Sequence, residues 1–254
     1  MSREVMTRTP VSASRRIPYG PDPSQFFDLY EPPAKPIGLA VNIHGGFWRS
    51  RFDLTHASHL CNALAKTGIL AANLEYRRAG ETGGGWPVTF QDIQSALQAV
   101  RKTFPTLGDP IVLGHSAGGH LALLLATKLS TLKGVIACGP VACLELAHHK
   151  NLGSGAVAEF MGGTPEQLPA QYAAADPVRP TSSVRRILVH GTQDDIVPLE
   201  ISRAFLEARQ TDKGMLTLLE IPGGDHFDPI DPQSAAWPLM ETTAKGLLGS
   251  KEPR

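Results

Sequence analysis

Apolar residues in this chain fall into two kinds of run, and the two alternate. Residues 37–43, 69–74, 111–113, 134–138, 186–189 and 215–221 are short stretches, mostly of continuous apolar character, too brief for ordinary helices. They predict strands, the unbroken ones buried on both faces of a sheet. Between them apolar residues recur at helical spacing: Leu54, Ala57, Leu60, Leu64 and Ala65, then Val88, Ile93, Ala96, Leu97 and Val100. Residues 117–128, 199–210 and about 234–248 complete the helical set. An earlier patch, Phe26 to Tyr30, is bracketed by prolines 18, 21, 23, 32, 33 and 36 and predicts an edge strand. This alternation predicts the α/β class, a mostly parallel central sheet with helices on both faces and ligands bound beyond the carboxyl ends of the strands. Residues 139–183 break the rhythm with Gly, Pro and Ala, and are expected to form a small insertion over the strand ends, with a short helix near 156–161.

The most informative run is Ile111 to Leu121, an apolar strand that breaks at glycine onto Ser116 and becomes an Ala/Leu-rich helix. Gly114-His115-Ser116-Ala117-Gly118 fits a strand-to-helix turn so tight that only glycines can flank a serine held in a strained conformation. Five residues alone occur by chance in many sequences. Strand before and helix after give them context, and the helix amino terminus points free amides and a dipole at the same spot. Ser116 is therefore expected to be a nucleophile.

A nucleophilic serine needs a base, and the base needs a carboxylate to fix its tautomer. His190 to Pro198 follows a strand and offers Asp194 and Asp195, while Gly223 to Phe227 follows the last strand and offers His226. Serine, acid and histidine thus occur in the chain order of one known arrangement of the triad. His115 and His120 flank the serine too closely to reach back as its base, and His44 suits hydrogen bonding within a glycine loop. Asp225 and Asp228 suit turns. The pairs His56/His59 and His148/His149 lack a nearby acid or cysteine at ligand spacing, so no metal is expected.

These segments together resemble the α/β-hydrolase superfamily over about residues 19–250, in particular its esterase and kynurenine formamidase (arylformamidase) branch with an H-G-G-x-W signature, here His44 to Trp48. The resemblance implies an α/β-hydrolase fold with Ser116 as nucleophile. Its H-G-x-x-D-x-x-V-P loop matches His190, Gly191, Asp194, Val197 and Pro198, which selects Asp194 as the acid over Asp195, and its histidine falls on His226. It also implies an oxyanion hole from the backbone N–H groups of Gly46, Phe47 and Ala117. Phe47 stands where hormone-sensitive-lipase-like esterases carry a third glycine, which moves the likeness toward the formamidase branch. Trp48, Trp86, Met161 and Phe227 are candidates for a substrate pocket and fit core packing equally well.

Composition narrows the partners. The 254 residues carry 24 basic and 24 acidic side chains, a formal net charge of +0, with no long run of either sign. Neither nucleic acid nor a membrane surface is an expected partner. Three cysteines, Cys61, Cys138 and Cys143, lack metal-ligand spacing and fit a reducing cytoplasm. Residues 1–16 hold four arginines and no apolar core of the kind a secretory signal needs, and are expected as a flexible arm before one domain over 17–250. The function expected is hydrolysis of a carboxylic ester of a small substrate through an acyl-enzyme, without cofactor. Amide hydrolysis of an N-formylkynurenine-like substrate is the alternative, and a non-catalytic ligand-binding protein on the same scaffold a remote one.

Overall fold

The computed structural model describes residues 2–212 and 214–249, without the side chain of Ser2. Residues 1, 213 and 250–254, on which the expected arm begins and the expected domain ends, lie outside the described residues. The strands are β1 (Arg15–Pro18), β2 (Phe26–Tyr30), β3 (Gly38–Ile43), β4 (Ile69–Leu74), β5 (Ile111–His115), β6 (Gly134–Cys138), β7 (Arg186–Gly191) and β8 (Leu216–Ile221). The helices are α1 (Ser58–Lys66), α2 (Val88–Thr103), α3 (Ala117–Lys128), α4 (Leu144–His149), α5 (Ala156–Met161), α6 (Pro169–Ala175), α7 (Glu200–Ala208) and α8 (Trp237–Gly249).

Among the described residues the eight strands form one sheet in the order β1-β2-β4-β3-β5-β6-β7-β8. β1 and β2 run antiparallel to their neighbours, and from β4 onward every pairing is parallel. Because side chains alternate across a strand, the central strands feed two apolar layers. Val41, Ala72, Val112, Val135 and Leu188 face α2, α3 and α7, represented by Ile93, Leu121 and Phe205. Ala40, Ala71, Leu113, Ile136 and Val189 face α1 and α8 through Leu60, Leu64, Met240 and Leu247. Asn42 and Asn73 sit opposite each other within this apolar sheet, and their amides hydrogen-bond at 2.8 Å. Asn73 Nδ2 also donates to Leu54 O at 3.0 Å, so burial leaves these groups satisfied.

α3 is buried at every position from Ala117 to Ala126. Such a helix needs cover on all sides, and α6 supplies part of it, with His120 Nε2 at 2.9 Å from Ala175 O. Residues 139–183 carry α4, α5 and α6, and this segment meets the glycine loop beyond β3: Arg49 donates to Gly153 O at 2.7 Å and to Glu159 at 2.7 Å.

Two features differ from the sequence-based expectation. Phe26–Tyr30 is an interior strand, because β1 lies outside it with Arg15 opposite Leu29 and Pro18 opposite Phe26. The residues of β1 are largely exposed and show no apolar pattern. Backbone pairing and the fork from Arg16 to Asp28, 2.7 and 2.8 Å, define the strand, Ile17 packs against the core, and an edge tolerates the proline. Secondly, residues 3–16 pack against the body where a flexible arm was expected. Ser2–Met6 forms a 3-10 turn that buries Val5 completely, and Arg8 pairs with Asp231 through two 2.9 Å bonds. One valine and one paired arginine leave no periodic signal in the sequence.

Candidate active site

Ser116 sits between β5 and α3 with φ 55 and ψ −116, the left-handed region that costs a non-glycine residue strain. Its neighbours make the turn possible. A Cβ on Gly114 would stand 2.2 Å from Gly118 O, and one on Gly118 would stand 2.1 Å from Ile43 O. The motif glycines are thus required by close backbone approach, one within the turn and one against β3. Ser116 N donates to Cys138 O at 2.8 Å and Ser116 O accepts from Val141 N at 3.2 Å, fixing the elbow to the end of β6.

The acid and the histidine arrive on two loops that pass closely. A Cβ on Gly191 would meet Gly224 O at 2.3 Å, which explains that glycine at the end of β7. His226 Nδ1 donates to Asp194 Oδ2 at 2.6 Å, and both side chains are buried. Asp194 Oδ1 accepts from the amides of Ile196 and Val197 at 2.9 and 2.8 Å. Burial works to raise the Asp194 pKa, yet donors from His190, His226 and Val197 outweigh it and hold the carboxyl well below its ordinary range. Asp195, the neighbouring candidate, points into solvent and pairs with Arg3 at 2.6 Å. Asp225 and Asp228 lock the histidine loop, Asp225 Oδ1 accepting from Phe227 N at 2.8 Å and Asp228 Oδ2 from Asp225 N at 2.6 Å.

Gly46, Phe47 and Trp48 all have positive φ, at 116, 53 and 55, so the loop after β3 is tightly coiled. The amides of Gly46, Phe47 and Ala117 have no hydrogen-bond partner among the described residues. A Cβ on Gly45 would stand 3.0 Å from Ser116 Cβ, so the glycine loop and the serine turn are in direct contact. His44 braces this loop, with Nδ1 2.7 Å from Gly45 O and Nε2 2.9 Å from Glu75 Oε1. Burial pushes the Glu75 carboxyl up, but His44 and Arg78 beside it bring it below its usual value. Glu75 also accepts from the amides of Leu54 and Tyr76 at 3.0 Å each.

Ser116, His226, Gly46, Phe47 and Phe227 share one cavity of about 90 Å³, lined also by Met6, Phe52 and Ile196 among others. Of the four residues expected in a pocket, only Phe227 lines it. Trp48 is fully buried and stacks on Phe160, with ring centroids 4.5 Å apart and planes 13° from parallel. Trp86 is half-buried against Phe90 and Phe160, and Met161 belongs to the core. A larger groove of about 420 Å³, lined by Arg8, His59, Lys66 and Trp237, contains none of these groups.

Three contributors escaped the sequence. His190 Nε2 lies 3.2 Å from Asp194 Oδ2 and 2.8 Å from Val197 O, a placement that the i,i+4 spacing in H-G-x-x-D was compatible with. His115 Nε2 donates to His226 O at 3.0 Å. Desolvation depresses the His115 pKa strongly, so its ring is neutral beside His226. Met6 left no signal at all.

An elbow serine after β5, an acid after β7 and a histidine after β8, on a sheet whose β2 runs against its parallel neighbours, define an α/β-hydrolase fold. Over residues 27–208 the chain matches the BD-FAE family, and it belongs to that family. It is 28% identical over 253 residues to esterase LipC of Mycobacterium tuberculosis (strain ATCC 25618 / H37Rv), covering 85% of this chain and 60% of LipC. It is 24% identical to the kynurenine formamidase of Salmo salar, covering 85% of this chain and 75% of that enzyme. Its structure resembles a truncated carbohydrate esterase from gut microbiota, TM-score 0.81 with 19% identity, over 95% of this chain and 98% of that one. The chain spans little more than half the length of the esterases it matches, 60% of LipC. Among the described residues no helix is long and apolar enough to cross a membrane.

Proposed function

We propose that this chain is a serine hydrolase that cleaves a carboxylic ester carrying a short acyl group. The observation that carries the reading is the 2.6 Å Asp194–His226 bond opening onto the apolar cavity that holds Ser116. With Asp194 accepting from Nδ1–H, the imidazole keeps its lone pair on Nε2, the atom that takes the Ser116 hydroxyl proton as Oγ attacks the ester carbonyl. The negative charge that forms on the carbonyl oxygen meets unpartnered amides from Gly46, Phe47 and Ala117. His226 then returns its proton to the departing alcohol, and water, activated by the same imidazole, releases the acid and restores Ser116. No step requires a cofactor.

Cavity size supports the acyl preference. The cavity, about 90 Å³, is the smaller and more apolar of the clefts described, which suits a short acyl group better than a long chain. A formyl group also fits, and the likeness to a kynurenine formamidase over most of both chains favours an N-formyl amide as the second reading. Turnover of p-nitrophenyl acetate and N-formylkynurenine by the same preparation separates the two. Ser116→Ala is expected to lose hydrolysis of both and labelling by a fluorophosphonate probe, and retained turnover in the folded variant overturns the assignment.

A further inference from the structure

The cavity beside Ser116 is closed on one side by a residue far away in sequence. Met6 lines it together with Ser116, His226, Phe227 and Ile196. The segment bearing Met6 is held at three points. Val5, fully buried, packs into the layer that contains Phe227 and Ile230. Arg3 pairs at 2.6 Å with Asp195, on the loop that carries Asp194. Arg8 pairs with Asp231, five positions beyond His226 and almost completely buried, through a two-point fork at 2.9 Å.

Each anchor therefore lands on, or beside, a loop that also delivers a catalytic group. The segment 3–8 straps the acid loop to the histidine loop, and its one side chain turned to the cavity is a thioether. A methionine is unbranched and deformable, so it fills an irregular gap and still gives way by rotamer change.

Resting on the ester-hydrolase reading, we infer that Met6 is the specificity-determining residue that sets how long an acyl chain the Ser116 cavity accepts. Its side chain occupies the volume that additional methylenes of a substrate would fill. Shortening it opens this space to longer chains, and enlarging it closes the space further. Methylene discrimination in an apolar pocket amounts to about ten-fold or more per group.

The test measures kcat/KM of the full chain and of Met6→Ala and Met6→Phe for p-nitrophenyl acetate, butyrate and hexanoate. Met6→Ala is expected to raise the hexanoate-to-acetate ratio by about ten-fold or more, and Met6→Phe to lower it. Met6→Phe keeps a large apolar side chain beside Val5, and a thermal melt of each variant verifies that it is folded. Unchanged ratios in both folded variants overturn the inference. Failure of the underlying reading looks different, since Ser116→Ala would then retain turnover of all three esters.

Discussion

Asp194 Oδ2 serves two imidazoles at once, with His226 Nδ1 at 2.6 Å and His190 Nε2 at 3.2 Å. The second contact orients the carboxylate from behind, and His190 is itself fixed by Ser202 Oγ at 2.7 Å and Val197 O at 2.8 Å. Asp194→Asn is expected to lower kcat by about 10⁴, because the amide leaves the wrong imidazole tautomer favoured. His190→Ala is expected to lower it less, by roughly ten- to a hundred-fold, the worth of about 1.5–3 kcal/mol for a hydrogen bond to a charged group. Steady-state kinetics on p-nitrophenyl acetate checks both, and equal losses for the two variants would contradict this ranking.

Gly118→Ala is a test of the elbow rather than of the chemistry. Its Cβ would stand 2.1 Å from a backbone oxygen of β3, which cannot move without disturbing the centre of the sheet. The variant is expected to lose stability by several kcal/mol, on the order of the largest single-residue effects, and to yield little folded protein. Urea unfolding against the parent chain measures the loss, and a normal midpoint would show that the turn is looser than its geometry indicates.

Trp48 is predicted to matter for stability and not for substrate choice. Trp48→Ala removes the ring stacked on Phe160 and should cost about 3–5 kcal/mol. Its indole Nε1 has no hydrogen-bond partner among the described residues, so Trp48→Phe sacrifices no bond and should be much milder. Chemical denaturation of the two variants separates packing from hydrogen bonding, and an altered ester preference in Trp48→Phe would return this residue to the pocket.

The Arg8–Asp231 fork makes a signed prediction about pH. Burial acts to raise the Asp231 pKa, but Arg8 and the Gln233 amide outweigh it and lower it in the folded chain. A depressed carboxyl stabilises the fold above its unfolded value of about 3.9, and that contribution disappears as pH falls through the folded value. The melting temperature of Arg8→Ala is expected to lie below that of the parent at pH 7 and to approach it as the pH is lowered below about 4. A constant gap at all pH values would mean that the arginine stabilises by packing alone.

What could be read in advance follows from how each residue acts. The placement of Ser116, Asp194 and His226 after strand ends was legible because the backbone there demands neighbours such as Gly114, Gly118 and Gly191. Trp48, Trp86 and Met161 were ambiguous, since a large apolar side chain looks the same in sequence whether it lines a cavity or stacks on Phe160. β1 was hidden because an edge strand of exposed residues is defined by its backbone pairing with Phe26–Tyr30. Met6 was hidden for another reason, that its role depends wholly on where Arg3, Val5 and Arg8 find their partners.

The 223 positions between Arg8 and Asp231 also have a meaning in time. At roughly 5–20 residues per second, about 10–45 s of synthesis separate the two. From residue 116 until residue 226 the growing chain has its serine and its glycine loop, while His226 and the partner of Arg8 do not yet exist. The elbow can form early around β3, β5 and β6, but the cavity lined by both His226 and Met6 cannot. The segment 3–8 can therefore find its place only after residue 231 has been made.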